Sequence, residues 1–454
     1  MSETPKGAAP VEPVLTEEEK KVRKTRAYAL FILVVVYTLN FIDRQIVGIL
    51  AIPIKADLGL TDSQLGLMGG LAFALFYTIL GIPIAMLADR RNRVYIITAA
   101  LTVWSIMTAV CGMAGNFIQL FLARLGVGVG EAGGVAPAYS LLSDFFPAEK
   151  RARALSIYAF GIPIGSALGI LLGGILTNFI SWRSAFIIVG LLGVVVAPIL
   201  ALTLKEPPRG RYDKGADPTK TATVKEVLTT ITKKPSFWGL SLGAACGSMM
   251  GYGLFFWIPS FLVRSFAPEL REFFDWIPRG LLPPEPSTTL YASFFYSGIV
   301  LIGGLVGIWA GGVLADKYGQ AKKSTYALIP AIGFALTTPF FILSLMTPSL
   351  IVIFLALMIP TALSLAWLGP VTSAFQHLVP PHMRATASAI FLFVNNLIGI
   401  GLGTYVLGAL SDGFGARFGE ESLRYAMLTG STLYLVAGGL LFLTAPRLKH
   451  DWHG

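Results

Sequence analysis

Charge is scarce in this sequence. Asp, Glu, Lys and Arg make up 13% of its 454 residues, about half the share found in a water-soluble chain. That is too little to cover a soluble surface of this size, so a soluble enzyme is excluded. Disorder is excluded as well, because it needs low hydrophobicity and high charge. Cysteine is nearly absent: Cys111 and Cys246 are the only two, both inside apolar runs. No disulfide between separate runs is expected, and the redox compartment is not readable from them. Of four histidines, His377 and His382 flank Pro380-Pro381 with no third ligand nearby, so no metal site is expected. Residues 1–26 are polar and mixed in charge, unlike a cleavable signal peptide.

What the sequence has is apolar length. Hydrophobic residues make up 54%, and mean hydropathy is +0.70. The runs are continuous rather than alternating in segments of about ten, which excludes a β-barrel. The fold class is therefore all-α integral membrane. At about 20 residues per span, twelve spans fit. They are read at 27–52, 63–88, 94–114, 117–143, 152–178, 184–204, 236–263, 290–315, 324–346, 350–377, 384–411 and 423–445. With the N-terminus in the cytoplasm, 26 of the 35 basic residues fall on cytoplasmic segments and seven on the far side. This bias supports an even span count with both termini inside. It also accounts for a pI near 9.5 without a nucleic-acid partner. The absence of any Asn-x-Ser/Thr acceptor favours a bacterial inner membrane over a glycosylated surface.

The chain repeats itself. Leu87-Ala88-Asp89-Arg90 ends the second span and Leu314-Ala315-Asp316-Lys317 ends the eighth, 227 residues later. Pro147-Ala148-Glu149-Lys150-Arg151-Ala152 and Pro380-Pro381-His382-Met383-Arg384-Ala385 follow the fourth and tenth spans at an offset of 233. The division is a tail at 1–26, a six-helix half at 27–204, a cytoplasmic linker at 205–235, a second half at 236–446 and a tail at 447–454. A short amphipathic helix is expected at 223–232. Two pseudo-symmetric six-helix halves with a site between them are the pattern of a secondary transporter.

The loop Ala85-Met86-Leu87-Ala88-Asp89-Arg90-Arg91-Asn92-Arg93 resembles the signature of the major facilitator superfamily, apart from Ala85 and Asn92, where glycine is usual. Gly312-Val313-Leu314-Ala315-Asp316-Lys317-Tyr318-Gly319 is a closer copy. Three further segments resemble the Spinster-like branch: Asn40-Phe41-Ile42-Asp43-Arg44, Gly128-Val129-Gly130-Glu131-Ala132 and Phe146-Pro147-Ala148-Glu149-Lys150-Arg151-Ala152-Arg153. The resemblance implies the major facilitator fold and alternating access. It also implies a lysophospholipid or sphingoid-lipid substrate with proton coupling. No cofactor is expected, and the partners are the substrate, protons and membrane lipids around a monomer.

Asp43, Arg44, Arg124 and Glu131 are the ionisable residues read well inside spans, where charge is costly and functional by default. Asp43 and Glu131 are the expected proton-coupling acids. Arg44 and Arg124 are the expected head-group ligands, because arginine stays charged. A static ion-pair network between the first and fourth spans is the bland alternative. Adjacent Asp43 and Arg44 diverge by about 100° on a helix and need other partners. Gly128-Val129-Gly130-Glu131-Ala132-Gly133 matches G-x-G-x-x-G, but inside a span and without a βαβ unit it is no nucleotide site. The second half offers no buried charge. Its seventh and tenth spans carry Ser241, Ser248, Tyr252, Phe256, Trp257, Thr361, Ser364, Trp367 and Thr372. Tyr252, Phe256 and Trp367 are the expected tail-binding wall. Asp89, Arg151, Asp316 and Arg384 form the expected cytoplasmic gate, the carboxylates facing arginines or helix N-termini. A proton-coupled organic-anion or drug transporter is the rival within this class. A passive lipid scramblase or membrane-embedded lipid enzyme is the rival outside it, the latter without a Ser-His-Asp set or metal cluster. An ATP-driven pump is disfavoured because no G-x-x-x-x-G-K-[ST] occurs.

Overall fold

The computed structural model describes residues 17–452 except 89, 210, 213–222, 279, 281, 320–321 and 381–382. Helices make up all of its regular structure among the described residues. Ten stretches are long and apolar enough to cross a membrane. The first span is the helix Glu17–Ile49, the second Asp62–Ala88 and the third Arg93–Cys111. The fifth is built from Ala148–Ala159 and Gly161–Phe179, and the sixth is Trp182–Thr203. The seventh is Pro235–Ser265, the eighth Thr288–Gly319 and the ninth Thr325–Met346. Leu350–Ala366 and Leu368–Gln376 form the tenth. The final apolar stretch, Thr386–Thr444, holds two helices, Arg384–Phe418 and Ser422–Thr444, which are the eleventh and twelfth.

The segment read as the fourth span is not among the ten. It is two shorter helices, Phe117–Glu131 and Val135–Phe145, with turns at 132–134. Its glycines explain the break. Glycine is a poor helix former, and here the residues are needed small. A Cβ at Gly128 would stand 2.3 Å from the Phe73 carbonyl oxygen, and one at Gly130 would stand 2.4 Å from the Trp104 nitrogen. Glu131 is therefore the last residue of a helix wedged between the second and third spans.

Span starts follow local capping chemistry. Thr61 accepts from the Gln64 amide while Gln64 accepts from the Thr61 amide, a reciprocal capping box. The Asn92, Asn116 and Ser181 side chains accept from Tyr95, Gln119 and Ser184 amides at the starts of the third, fourth and sixth spans. The amphipathic helix expected before the seventh span is Val224–Thr232, capped by Thr223, with Val227 and Ile231 buried. Asp451 accepts from the Ser236 amide at the start of the seventh span.

The packing repeats between halves. The first span packs on the fifth as the seventh packs on the eleventh. The third packs against the fourth and sixth, as the ninth packs against the tenth and twelfth. The halves meet where the second span crosses the eleventh and the fifth crosses the eighth. The outward surface is apolar too. On the sixth span Phe186, Val189 and Gly190 face the protein, while Leu191, Val195 and Leu202 are exposed. A helix apolar all round belongs in lipid. This chain is a multi-pass integral membrane protein.

Candidate functional site

Between the halves lies a cavity of about 640 Å³. Its walls come from the first, second, fourth and fifth spans on one side and the seventh, eighth, tenth and eleventh on the other. On the second span the lining runs from Tyr77 to Ala85, the half next to the third-span loop. On the eleventh it runs from Ala389 to Asn396, next to the start of that helix. Both place the mouth on the side of the chain termini.

The opposite side is closed by a polar cluster. Arg264 of the seventh span donates through Nη1 and Nη2 to Oδ2 and Oδ1 of Asp62, both at 2.7 Å. Lys55 Nζ reaches Asp62 Oδ1 at 2.6 Å, and Ser411 Oγ donates to Asp62 Oδ2 at 2.7 Å. Asp412 accepts from the Asp62 and Ser63 amides at 3.1 and 2.7 Å. Asp62 thus ties the second span to the seventh and eleventh, across the two halves. Directly beneath, the second span passes through a π-helical turn, Leu67–Leu71. Thr404 Oγ1 donates to the Gly66 carbonyl at 2.7 Å, and a Cβ at Gly66 would stand 2.4 Å from the Thr404 carbonyl oxygen.

Arg44 is the charged side chain that lines the cavity among the described residues. Its Nε donates to Glu131 Oε2 at 2.7 Å, with the Arg44 side chain 10% exposed and the Glu131 side chain fully buried. Its guanidinium lies against the rings of Phe41, Phe73 and Tyr77, 5.1, 4.6 and 4.8 Å from their centroids. These faces attract the cation and hold it at the inner end of the cavity. Tyr77 and Tyr252 also interact with it electrostatically.

The other buried charges sit behind Arg44. Asp43 and Arg124 are buried and do not line the cavity. The Asp43 carboxylate feels Glu131, Arg124 and Arg44 and lies beside the Thr108 hydroxyl. The Arg124 guanidinium also lies over the Phe73 ring, 5.7 Å from its centroid. Asp43 Oδ1, Arg124 Nε and Nη1, Glu131 Oε1 and both amide atoms of Asn40 have no hydrogen-bond partner among the described residues. Asn40 stands beside Glu131 as Thr108 stands beside Asp43, so the four charges and these polar side chains form one buried cluster.

The structure therefore brings the four sequence-predicted charges together but ranks them differently. Arg44, not Arg124, faces the cavity, and the direct ion pair is Arg44–Glu131. Of the three residues read as a tail-binding wall, Tyr252 and Trp367 line the cavity and Phe256 does not. Phe256 packs on the far side against Gly69 and Gly48, where a Cβ on Gly69 would stand 2.3 Å from its ring. Of the expected gate, Arg151 Nη2 donates to the Ser143 carbonyl at 2.9 Å. Asp89 and the side chains of Asp316 and Arg384 lie outside the described residues.

Three features escaped the sequence reading. Asp62 reads as a helix-start acid, and nothing in its local pattern marks it as a tie between halves. Arg93 reads as a loop base. It is buried, donating to Asp144 at 2.6 Å, Ser140 at 2.8 Å and Glu206 at 2.8 Å, so the third span, the fourth span and the linker meet on it. Asn395 and Asn396 were legible as two carboxamides inside an apolar helix, a pattern that marks function in membranes.

Comparison with known proteins agrees with this architecture. Residues 33–404 match the Major Facilitator Superfamily profile. An "MFS-type efflux pump" of Mycolicibacterium smegmatis is 31% identical over 98% of this chain and 98% of its own. "Protein spinster homolog 1" of Homo sapiens is 30% identical over 85% of this chain and 73% of its own. A crystal structure of a bacterial homolog to the human lysosomal transporter Spinster, inward-facing and unoccupied, superposes with a TM-score of 0.80 at 33% identity, covering 95% of this chain and 99% of that one. The occupied inward-facing form superposes with a TM-score of 0.77. The matched length, the paired six-helix halves and the central cavity converge: this chain is a Spinster-type transporter of the major facilitator superfamily.

Proposed function

We propose that the chain is a proton-coupled, alternating-access carrier of an amphipathic anion, with a lysophospholipid or sphingoid lipid as substrate class. The carrying observation is a cavity with one charged residue among the described residues, Arg44, set in a largely apolar lining. An ionic head suits the arginine, which can meet phosphate bidentately. A hydrocarbon tail suits Ile82, Phe255, Trp367 and Leu392. The likeness to Spinster relatives supports a transporter, and the lipid class rests on the resemblance read in the sequence and on the mixed cavity wall.

Coupling rests on Arg44 having two competing partners. In the structure Glu131 holds it. Protonation of Glu131 removes that negative charge and frees Arg44 for the substrate head. Asp43 and Arg124 lie behind and set the local charge balance that Glu131 experiences. The cavity mouth faces the termini, so with both termini in the cytoplasm of a bacterial inner membrane this is an inward-facing state. Asp89, Arg151, Asp316 and Arg384 are the proposed cytoplasmic gate for the opposite state. The carrier works as a monomer and without a cofactor.

A second reading is an organic-anion or drug transporter, and the name of the mycobacterial relative, an efflux pump, favours outward movement. Reconstitution separates them. Purified protein in liposomes is expected to move a lysophospholipid faster under an imposed pH gradient than without one. Equal rates with and without the gradient would remove proton coupling. Transport of an aromatic organic anion but of no lysophospholipid would replace the lipid reading with the drug reading.

A further inference from the structure

The cavity has a second polar pole, on the half that carries no buried charge among the described residues. Ser248 Oγ donates to Asn395 Oδ1 at 2.9 Å, and Asn395 Nδ2 faces Asn396 Oδ1 at 3.4 Å. All three line the cavity. Asn395 is 4% exposed, so its carboxamide is fixed by its partners rather than by water. The fixing is tight: a Cβ on Gly399, one turn along the eleventh span, would stand 2.7 Å from Ser248 Cβ. A carboxamide nitrogen carries two N–H donors. One donor of Asn395 is directed at Asn396, and Asn396 Nδ2 has no hydrogen-bond partner among the described residues. The row therefore ends in unused donors on the cavity wall.

The seventh span places this row relative to Arg44. Ser248 and Tyr252 are four residues apart on one helix and share a face. Tyr252 interacts with Arg44. The carboxamide row thus lies about 6 Å from the anion pole along that helix, on the side of the mouth. Among the described residues no carboxylate lines the cavity, so a head-group ammonium finds no counter-ion there.

We infer that Ser248, Asn395 and Asn396 form a head-group subsite for neutral hydrogen-bonding groups, selecting anionic amphiphiles that carry hydroxyls beyond the phosphate. This inference rests on the amphiphile reading above and narrows it. Arg44 holds the phosphate, and the carboxamides hold a hydroxyl placed on a short carbon arm toward the mouth. A trimethylammonium at the same place can use neither the N–H donors nor an acid. Helix–helix adhesion through Ser248–Asn395 is the competing role, and it carries no dependence on head-group chemistry.

The test uses the full purified chain and three probes of equal tail length: lysophosphatidylglycerol, lysophosphatidylcholine and an alkyl phosphate without hydroxyls. Binding is read by ligand-induced thermal stabilisation and by titration. The wild type is expected to bind lysophosphatidylglycerol most tightly. Asn396→Ala is expected to weaken that ligand about fivefold to tenfold, as for loss of one hydrogen bond, and to leave the alkyl phosphate unchanged. Asn395→Leu is expected to act in the same direction. Equal loss for all three probes, or no loss for any, overturns the subsite. Arg44→Gln keeps the two readings apart. If it weakens every probe while Asn396→Ala weakens none, the amphiphile reading stands and the subsite fails. If the wild type binds none of the three, the amphiphile reading fails and takes the subsite with it.

Discussion

Arg44 is the residue on which the site turns, because its surroundings do three separate jobs. Glu131 supplies a negative partner, three aromatic faces fix the plane, and the remaining edge meets the cavity. Arg44→Lys keeps the charge but loses the flat fork and the stacking. Titration is expected to show about tenfold weaker binding of a phosphate-headed amphiphile, with a smaller loss for a single-oxygen anion. Glu131→Gln keeps a hydrogen-bond acceptor and removes the competing charge. Amphiphile binding is expected to tighten, by up to about tenfold, while pH-driven uptake falls toward the ungated rate. Weaker binding in Glu131→Gln would show that the acid orients Arg44 rather than competing for it. The sequence announced these charges plainly, since charge in an apolar span is conspicuous. It could not say which arginine faces the cavity. That depends on the rotation of the first and fourth helices against each other and on Phe73 standing between them, neither of which is a local property.

Helix crossings supply the next level. The second and eleventh spans touch through glycine and threonine on the far side, and Asp62 joins them there to the seventh. Loss of one partner from a largely buried pair costs about 3–5 kcal/mol. In Asp62→Asn that cost falls on the far-side closure rather than on either half. Labelling of single cysteines on both sides is expected to show the population moving toward far-side opening by tenfold or more. A pattern identical to wild type would make Asp62 a simple helix-start acid. Two glycines separate closure from folding. A Cβ on Gly66 would press 2.4 Å from the Thr404 carbonyl oxygen across the halves, whereas one on Gly403 would press 2.1 Å from the Met249 carbonyl oxygen within one half. Gly66→Ala is expected to change the labelling pattern with a modest drop in melting temperature. Gly403→Ala is expected to lower melting temperature strongly, with the labelling pattern of the surviving protein unchanged. Span existence was readable here from hydropathy alone. The break in the fourth span was signalled by Gly128, Gly130, Gly133 and Gly134, which the sequence reading kept inside one continuous span at 117–143 rather than taking as the end of a helix.

At the scale of the whole molecule the repeat did most of the work of prediction. Two landmarks at nearly one offset imply paired halves with a site between them, and the packing of each half mirrors the other. The closed face was not legible, because a conformational state is a choice between interfaces that one sequence must serve equally. That choice has an electrical side. Under the proposed coupling, Arg44 is neutralised by Glu131 without substrate and by a substrate anion while Glu131 carries a proton, so the moving site holds the same net charge loaded and unloaded. Proton and monoanion then travel together in the same direction. Each elementary charge crossing the membrane would otherwise exchange about 2.3 kcal/mol with every 100 mV. Here the two contributions cancel. Uptake of a monoanionic amphiphile is expected to follow the pH gradient and to ignore an imposed potassium diffusion potential. A rate that changes with that potential at constant pH would mean that a second charge moves, and Asp43 would be the residue to examine. A carrier of this kind takes its driving force from acidity alone and keeps working across a depolarised membrane.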